Sequence, residues 1–352
     1  GNLPDSAIEN GSEYFAATLY SGQATDKSVT GVGFQPDLTW IKRRDGVDSH
    51  VLADSVRGSF GAGFYSLFSN LTNAESTSLQ IETLDADGFT VNGDTSATNR
   101  AGQTYVAWNW KAGGAAVTNT AGSITSQVSA SPTAGFSVVT YTGTGANATV
   151  GHSLGAAPKM VVVKNRSIGS GWRVHHTSLA SAAYVVYFNV TNAQSLEAVA
   201  FNSTAPTSSV FSVGASGDTN GSGNLQVAYC FAEVPGYSSF GSYVGNGSSD
   251  GPFVYLGFKP RYILVKCSSS TEGGEAHWEC WDTSRNPYNV SNKIQYLDLT
   301  TAESTSAVFN MDILSNGFKL RPSAFSYGNN ASGQTYIYMA FAENPFKNSL
   351  AQ

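Results

Sequence analysis

The sequence predicts an all-β protein of three tandem antiparallel β-sandwich domains, of jelly-roll or lectin-like type, and three observations carry that expectation. A turn-and-strand phrase occurs three times, as Gly33-Phe-Gln-Pro36-Asp-Leu-Thr-Trp-Ile-Lys42, Gly155-Ala-Ala-Pro158-Lys-Met-Val-Val-Val-Lys164 and Gly257-Phe-Lys-Pro260-Arg-Tyr-Ile-Leu-Val-Lys266. A second phrase follows each, as Asn99-Arg-Ala-Gly102-Gln-Thr-Tyr, Asn220-Gly-Ser-Gly223-Asn-Leu-Gln and Asn330-Ala-Ser-Gly333-Gln-Thr-Tyr. First glycine and asparagine lie 66, 65 and 73 residues apart (33 to 99, 155 to 220, 257 to 330), so one unit has been copied with its order and pitch kept. Finally, only 12% of residues are charged and 37 are glycine, a composition that suits pleated sheets and tight turns better than helices.

The third copy shows the elements most clearly. Phe240 to Gly247 reads as a strand ending in a glycine-rich turn, matched by Tyr141 to Gly145 and by Tyr20 to Gly22. Gly257 to Pro260 is a turn, the proline fixing φ where its missing N–H does no harm. The strand from Arg261 to Lys266 is apolar on both faces, as expected where a layer covers each side. His277-Trp278-Glu-Cys-Trp281-Asp282-Thr-Ser-Arg285 aligns with Gly171-Trp172-Arg-Val-His-His176-Thr-Ser and with Ser49-His50-Val-Leu-Ala-Asp54-Ser-Val-Arg57. Asn316-Gly-Phe318-Lys-Leu320 matches Asp87-Gly-Phe89-Thr-Val91, with Val210 to Val213 the degenerate copy. Each copy closes on a long aromatic strand, near Thr104, Leu225 and Thr335. At most one short helix per copy is expected, because Thr191 to Ala200 lacks an apolar stripe at the helical period.

The units of roughly 100–120 residues are of ordinary domain size, and 352 residues accommodate three. We place them at 1–118, 119–235 and 236–352. The small, polar linker of residues 113–133 predicts a looser joint than the short Val234-Pro-Gly-Tyr237.

Nineteen Lys and Arg residues, a net charge of −6 and no basic run argue against nucleic-acid binding. No apolar stretch of roughly 18 residues argues for membrane insertion, and no secretory leader is visible. A start at Gly1 rather than Met is expected of a processed product or of part of a longer protein. Cys230 reads as a small core residue, whereas Cys267 and Cys280 flank a loop and could face each other across a hairpin. Sequons such as those at Asn70 and Asn202 are what a chain rich in Asn, Ser and Thr produces by chance.

The copies themselves test for chemistry. A catalytic group essential to the unit should recur, yet the acid at Asp54 and Asp282 becomes His176 in the second copy, so a turn residue bonding nearby backbone is the better reading. His175 and His176 are strand neighbours on opposite faces, unsuited to one metal ion. Asp85-Ala-Asp87-Gly88 lacks the glutamate of a calcium loop and reads as a β-turn. Neither a nucleophile elbow nor a phosphate loop occurs. We therefore expect no catalytic residues, no metal and no cofactor. Lys42, Lys164 and Lys266 read as strand-end lysines laying their stems over apolar surface. Trp172 and Trp278 read as core. The candidate ligand-binding residues are the loop aromatics Tyr288, Phe325 and Tyr327, set among Asn, Ser and Gly as in surfaces that stack on sugar rings or protein receptors.

The run Ala232-Glu-Val-Pro-Gly-Tyr-Ser-Ser-Phe-Gly-Ser-Tyr-Val-Gly-Asn-Gly247, with Gly257-Phe-Lys-Pro260, Asn316-Gly-Phe-Lys-Leu320 and Tyr336-Ile-Tyr-Met-Ala-Phe-Ala-Glu-Asn-Pro-Phe346, resembles repeat modules of virion proteins from tailed, often marine, bacteriophages. Trp108-Asn-Trp-Lys-Ala-Gly113 extends the likeness to the first copy. The resemblance implies a non-enzymatic protein of the virion surface, a tail fibre or receptor-binding protein adhering to a host surface glycan during host attachment. A head fibre or capsid decoration protein is the first alternative, and a glycan-cleaving tailspike the second. Other virion proteins and a host receptor are the implied partners. A homo-oligomer, in fibres usually a trimer, is the implied state.

Overall fold

The structure, a computed structural model, describes residues 8–270, 276–305, 309–321 and 328–342. It is nearly all β, in several antiparallel sheets, and the same four-strand order recurs in each copy. An opening strand (Phe15–Ser21, Phe136–Thr142, Ser238–Val244) pairs with a closing strand (Thr104–Trp110, Leu225–Phe231, Thr335–Ala342). The closing strand pairs with a lysine strand (Leu38–Arg43, Met160–Asn165, Pro260–Cys267), which pairs with a rim strand (Val51–Asp54, Arg173–His176, Trp278–Asp282). Two further strands extend the second copy's sheet beyond its opening strand: Ser126–Ser131 pairs with that strand, and Val117–Asn119, which spans the boundary we placed at residue 118, pairs with Ser126–Ser131. Among the described residues the helical elements are a single-turn α-helix, Gly217–Asn220, and a 3-10 turn, Gly11–Glu13.

Both repeated phrases are turn chemistry. Gly102, Gly223 and Gly333 have φ of 76°, 74° and 75°, a left-handed conformation that only glycine adopts without strain. The asparagine three residues earlier clamps the turn after the opening strand: Asn99, Asn220 and Asn330 Oδ1 accept from Gln23, Thr144 and Asn246 N at 2.9, 2.8 and 3.0 Å. The Asp85–Gly88 segment is a two-residue turn, and the Asp87 carboxylate accepts from Gly31 and Gly33 N.

A smaller sheet covers one face of each main sheet. It comprises Lys27–Thr30, Gly88–Val91 and Ile81–Asp85 in the first copy, Ala148–Gly151 and Val210–Val213 in the second, and Phe253–Tyr255, Gly317–Leu320 and Met311–Leu314 in the third. Between the layers of the first copy lies a private core containing Ile41, Ala107 and Phe89, and of the second one containing Val161, Cys230 and Phe211. The opposite face of every main sheet enters one shared core, which takes Trp40, Trp108 and Trp110 from the first copy, Val162, Tyr229 and Phe231 from the second, and Leu264, Met339 and Phe341 from the third. At its centre the equivalent rings of Trp110, Phe231 and Phe341 form a triangle with centroids 6.0–6.3 Å apart. The lysine strands are apolar on both faces for this reason.

The looser joint expected between copies one and two is not what the contacts show. The two copies share this core, and Gly113 and Gly114 N donate to Ser129 Oγ and Asp37 Oδ2. The hairpin bridge considered for Cys267 and Cys280 is also excluded. Cys280 pairs with Leu264, three residues from Cys267, which puts the two thiols on opposite faces of the sheet; all three cysteines are free and buried.

Candidate functional site

Most of the residues singled out for chemistry converge on the seams between copies. Lys42, Lys164 and Lys266 lie two residues beyond Trp40, Val162 and Leu264 on the shared-core face, so strand alternation aims them into a seam rather than at water. Their ammonium groups are buried, which corrects the expectation of stems laid over a surface with heads in solvent. Each Nζ donates to a threonine carbonyl of a neighbouring copy: Lys42 to Thr300 at 3.1 Å, Lys164 to Thr72 at 3.3 Å and Lys266 to Thr191 at 2.8 Å. Burial pushes all three down to about 8, since the charged form is poorly solvated there.

The aligned rim position makes a second cyclic set. His50 Nε2, Trp172 Nε1 and Trp278 Nε1 donate to the carbonyls of Tyr296, Phe68 and Tyr187, at 2.8, 3.0 and 2.6 Å. The receiving loops share a phrase that the sequence reading missed: Phe68-Ser-Asn-Leu-Thr72-Asn-Ala-Glu75, Tyr187-Phe-Asn-Val-Thr191-Asn-Ala-Gln194 and Tyr296-Leu-Asp-Leu-Thr300-Thr-Ala-Glu303. Its third residue anchors the loop within its own copy, Asn70, Asn189 and Asp298 Oδ1 accepting from His50, Trp172 and Trp278 N. The sequon asparagine at position 70 is thus a structural anchor. The signal was the same eight-residue frame three times over, hidden by loops of unequal length before it.

The acid position belongs to the seams too. Asp54 Oδ1 accepts from Val56 and Arg57 N, and Asp282 Oδ1 from Arg285 N, the local backbone bonds that a turn residue makes. Their other oxygens are ion-paired to Arg57 and Arg285 in full burial. Each also accepts across a seam, Asp54 from Tyr229 Oη at 2.8 Å and Asp282 from Trp108 Nε1 at 3.0 Å. In the second copy His176 Nδ1 accepts from Ser178 N while Nε2 donates to Tyr338 O. That geometry requires the neutral ring, and burial pushes His176 down to about 3. His175 points to the opposite face, against Phe201, and burial lowers it to about 4. These ionisable groups are engaged in packing, and none opens on solvent as a reactive pair. Among the described residues no group of three or more His, Cys, Asp or Glu is placed to hold a metal ion, and no helix is long and apolar enough to cross a membrane.

The exposed surface differs between copies. Tyr288 is 81% exposed, on a loop held alongside Met311–Leu314 by Asn289, whose side-chain amide bonds both N and O of Ile313. Phe325 and Tyr327 lie outside the described residues. The outer face of the third copy's small sheet adds two rings, Phe253 and Tyr255, 45% and 55% exposed on the edge strand. Register places Lys319 beside Phe253 and Asp312 beside Lys319, with Asp250 ion-paired to Lys319 and Arg321 to Asp312. Pairing fixes the equivalents of the two rings as Ser28 and Thr30 in the first copy, and as Thr149 and Gly151 in the second. Those of Lys319 are Thr90 and Ser212. Exposed rings beside charged pairs can stack on the C–H face of a sugar and hydrogen-bond its hydroxyls.

Residues 10–345 match the family described as "Domain of unknown function (DUF7483)", a match that runs through all three copies. Among curated proteins none matches the chain.

Proposed function

We propose that this chain, which belongs to the DUF7483 family, is a non-enzymatic structural protein of a bacteriophage virion. Its three β-sandwich modules form a scaffold, and the outer face of the third, with Tyr288, adheres to a host surface glycan. The observation that carries the reading is the divergence of one face. Three equivalent surfaces stand on one repeated frame, and only the third bears Phe253, Tyr255 and the Lys319 and Arg321 ion pairs. Two rings side by side on one strand face make an apolar patch of the kind that marks a binding surface, whereas Ser, Thr and Gly at the same positions leave a bland one. The likeness to phage repeat modules supplies the virion setting, a tail fibre or receptor-binding protein.

The test is binding of the labelled full chain to susceptible host cells. Replacing Phe253, Tyr255 and Tyr288 together by alanine should weaken binding on the order of tenfold or more, at about 0.5–1.5 kcal/mol per stacked ring, with melting unchanged. Unchanged binding in that variant removes this face from the reading. A chain that binds no host cell, but labels phage heads in electron micrographs, is a decoration protein instead. Release of oligosaccharides from the host polysaccharide would make it a tailspike enzyme.

A further inference from the structure

Every seam uses the same parts in the same direction. The second copy places Lys164 and Trp172 on the loop of the first, the third places Lys266 and Trp278 on the loop of the second, and the first places Lys42 and His50 on the loop of the third. The backbone repeats the rule, since Glu75, Gln194 and Glu303 N donate to Arg166, Ser268 and Arg44 O at 2.9, 2.8 and 2.7 Å. A head-to-tail contact of this kind builds a ring when its rotation closes and a filament when it does not. Here it closes after three copies, with the equivalent rings of Trp110, Phe231 and Phe341 meeting at the centre.

We propose that the chain is a trimer fused into one polypeptide. Its module-to-module surface, whose fitting partner is another module of the same design, is wholly occupied within the chain. The folded protein is then a monomer, and the threefold assembly usual in fibres is met inside it. The partner surface is also sufficient without the covalent link, because the seams are held by buried lysines, ring N–H groups and a common core rather than by the linkers. One family model matches across all three copies, from residue 10 to 345.

Two measurements on the full chain decide this. Light scattering across a wide concentration range should give 37.0 kDa throughout. A stable species of three times that mass would overturn self-closure. A protease site inserted between Ala115 and Ala116, where the linker is exposed, should be cut after folding without loss of assembly. The fragments should co-elute at the intact mass and melt in one transition. Fragments that separate in native buffer would show that the linkers hold the ring, and would overturn the claim of a self-sufficient surface.

Discussion

The seam between the first and third copies and the seam between the third and second have the same backbone geometry and different chemistry. In the first, Arg44 forms a two-pronged ion pair with Glu303, and buried Asp282 is shared between Arg285 and Trp108. In the second, Ser268 and Gln194 stand where that ion pair would be, and His176 occupies the aspartate position. The partner changes with it, since Met339, which carries no donor, replaces Trp108, and Leu179 replaces Arg285. The difference teaches that the charged groups are exchanged as a set. A buried carboxylate needs both its arginine and its ring donor, and where the donor is lost a neutral imidazole accepts a local backbone bond instead, from Ser178 N rather than from the amide three residues on. Lysine, ring N–H and backbone contacts do not vary between seams, so they define the interface.

The hardest test of that contrast is to break one set. Asp282→Ala should cost about 3–5 kcal/mol in denaturant melts, because Arg285 is left charged and buried. Importing the other seam's set, as Asp282→His with Arg285→Leu and Trp108→Met, should cost less than the single change, and a larger loss would refute exchange as a unit. Phe341→Ala removes a ring common to all seams, buried at the centre, and should cost about 3–5 kcal/mol. It should do so in one transition for the whole chain; separate melting of the third copy would show that the shared core does not couple the copies.

Smaller effects sharpen the comparison. Arg166→Ser, which copies Ser268 into the seam between the first and second copies, should cost about 1.5–3 kcal/mol through its bonds to Glu75. High salt should reduce that loss only in part, because the pair is mostly buried. Acid should act through the buried imidazoles. Burial lowers His50, His152, His175 and His176, so the unfolded chain binds protons that the folded rings refuse. The imidazoles' contribution to stability is then complete above about pH 6.5 and falls as the pH drops toward 4, by about 1.4 kcal/mol per pH unit each for His175 and His176. Urea midpoints across that range should show the slope, and His176→Gln should make it shallower by one ring's share.

Much of the frame was legible in the sequence. Gly102, Gly223 and Gly333 mark left-handed turns, the closing strands fall where their aromatics predict, and Trp172, Trp278 and Cys230 are buried. What was not legible is which surface covers each sheet. Alternation says that Trp40 and Ile41 face opposite ways, yet it cannot say that one meets a private layer and the other two further copies. Lys42 therefore read as an exposed strand end. The Phe68–Glu75 phrase was missed because 18, 15 and 18 residues separate it from His50, Trp172 and Trp278, beyond a simple alignment of adjacent motifs. On the candidate site, Tyr288 was found as a loop aromatic. Phe253 and Tyr255 were not, since a ring in a strand is usually core and only the pairing partners reveal which face is wet.

The bond from Lys42 to Thr300 spans 258 residues, and it sets an order of events during synthesis. At translation rates of about 5–20 residues per second, the lysine emerges roughly 10–50 s before its partner exists. The seam of the first copy toward the second can form as soon as Lys164 and Tyr229 are made, and the next follows with Lys266. Throughout that interval the first copy's remaining face, with Trp108 and an uncaged Lys42, waits uncovered, so the copy made last of the three is the one that seals the ring.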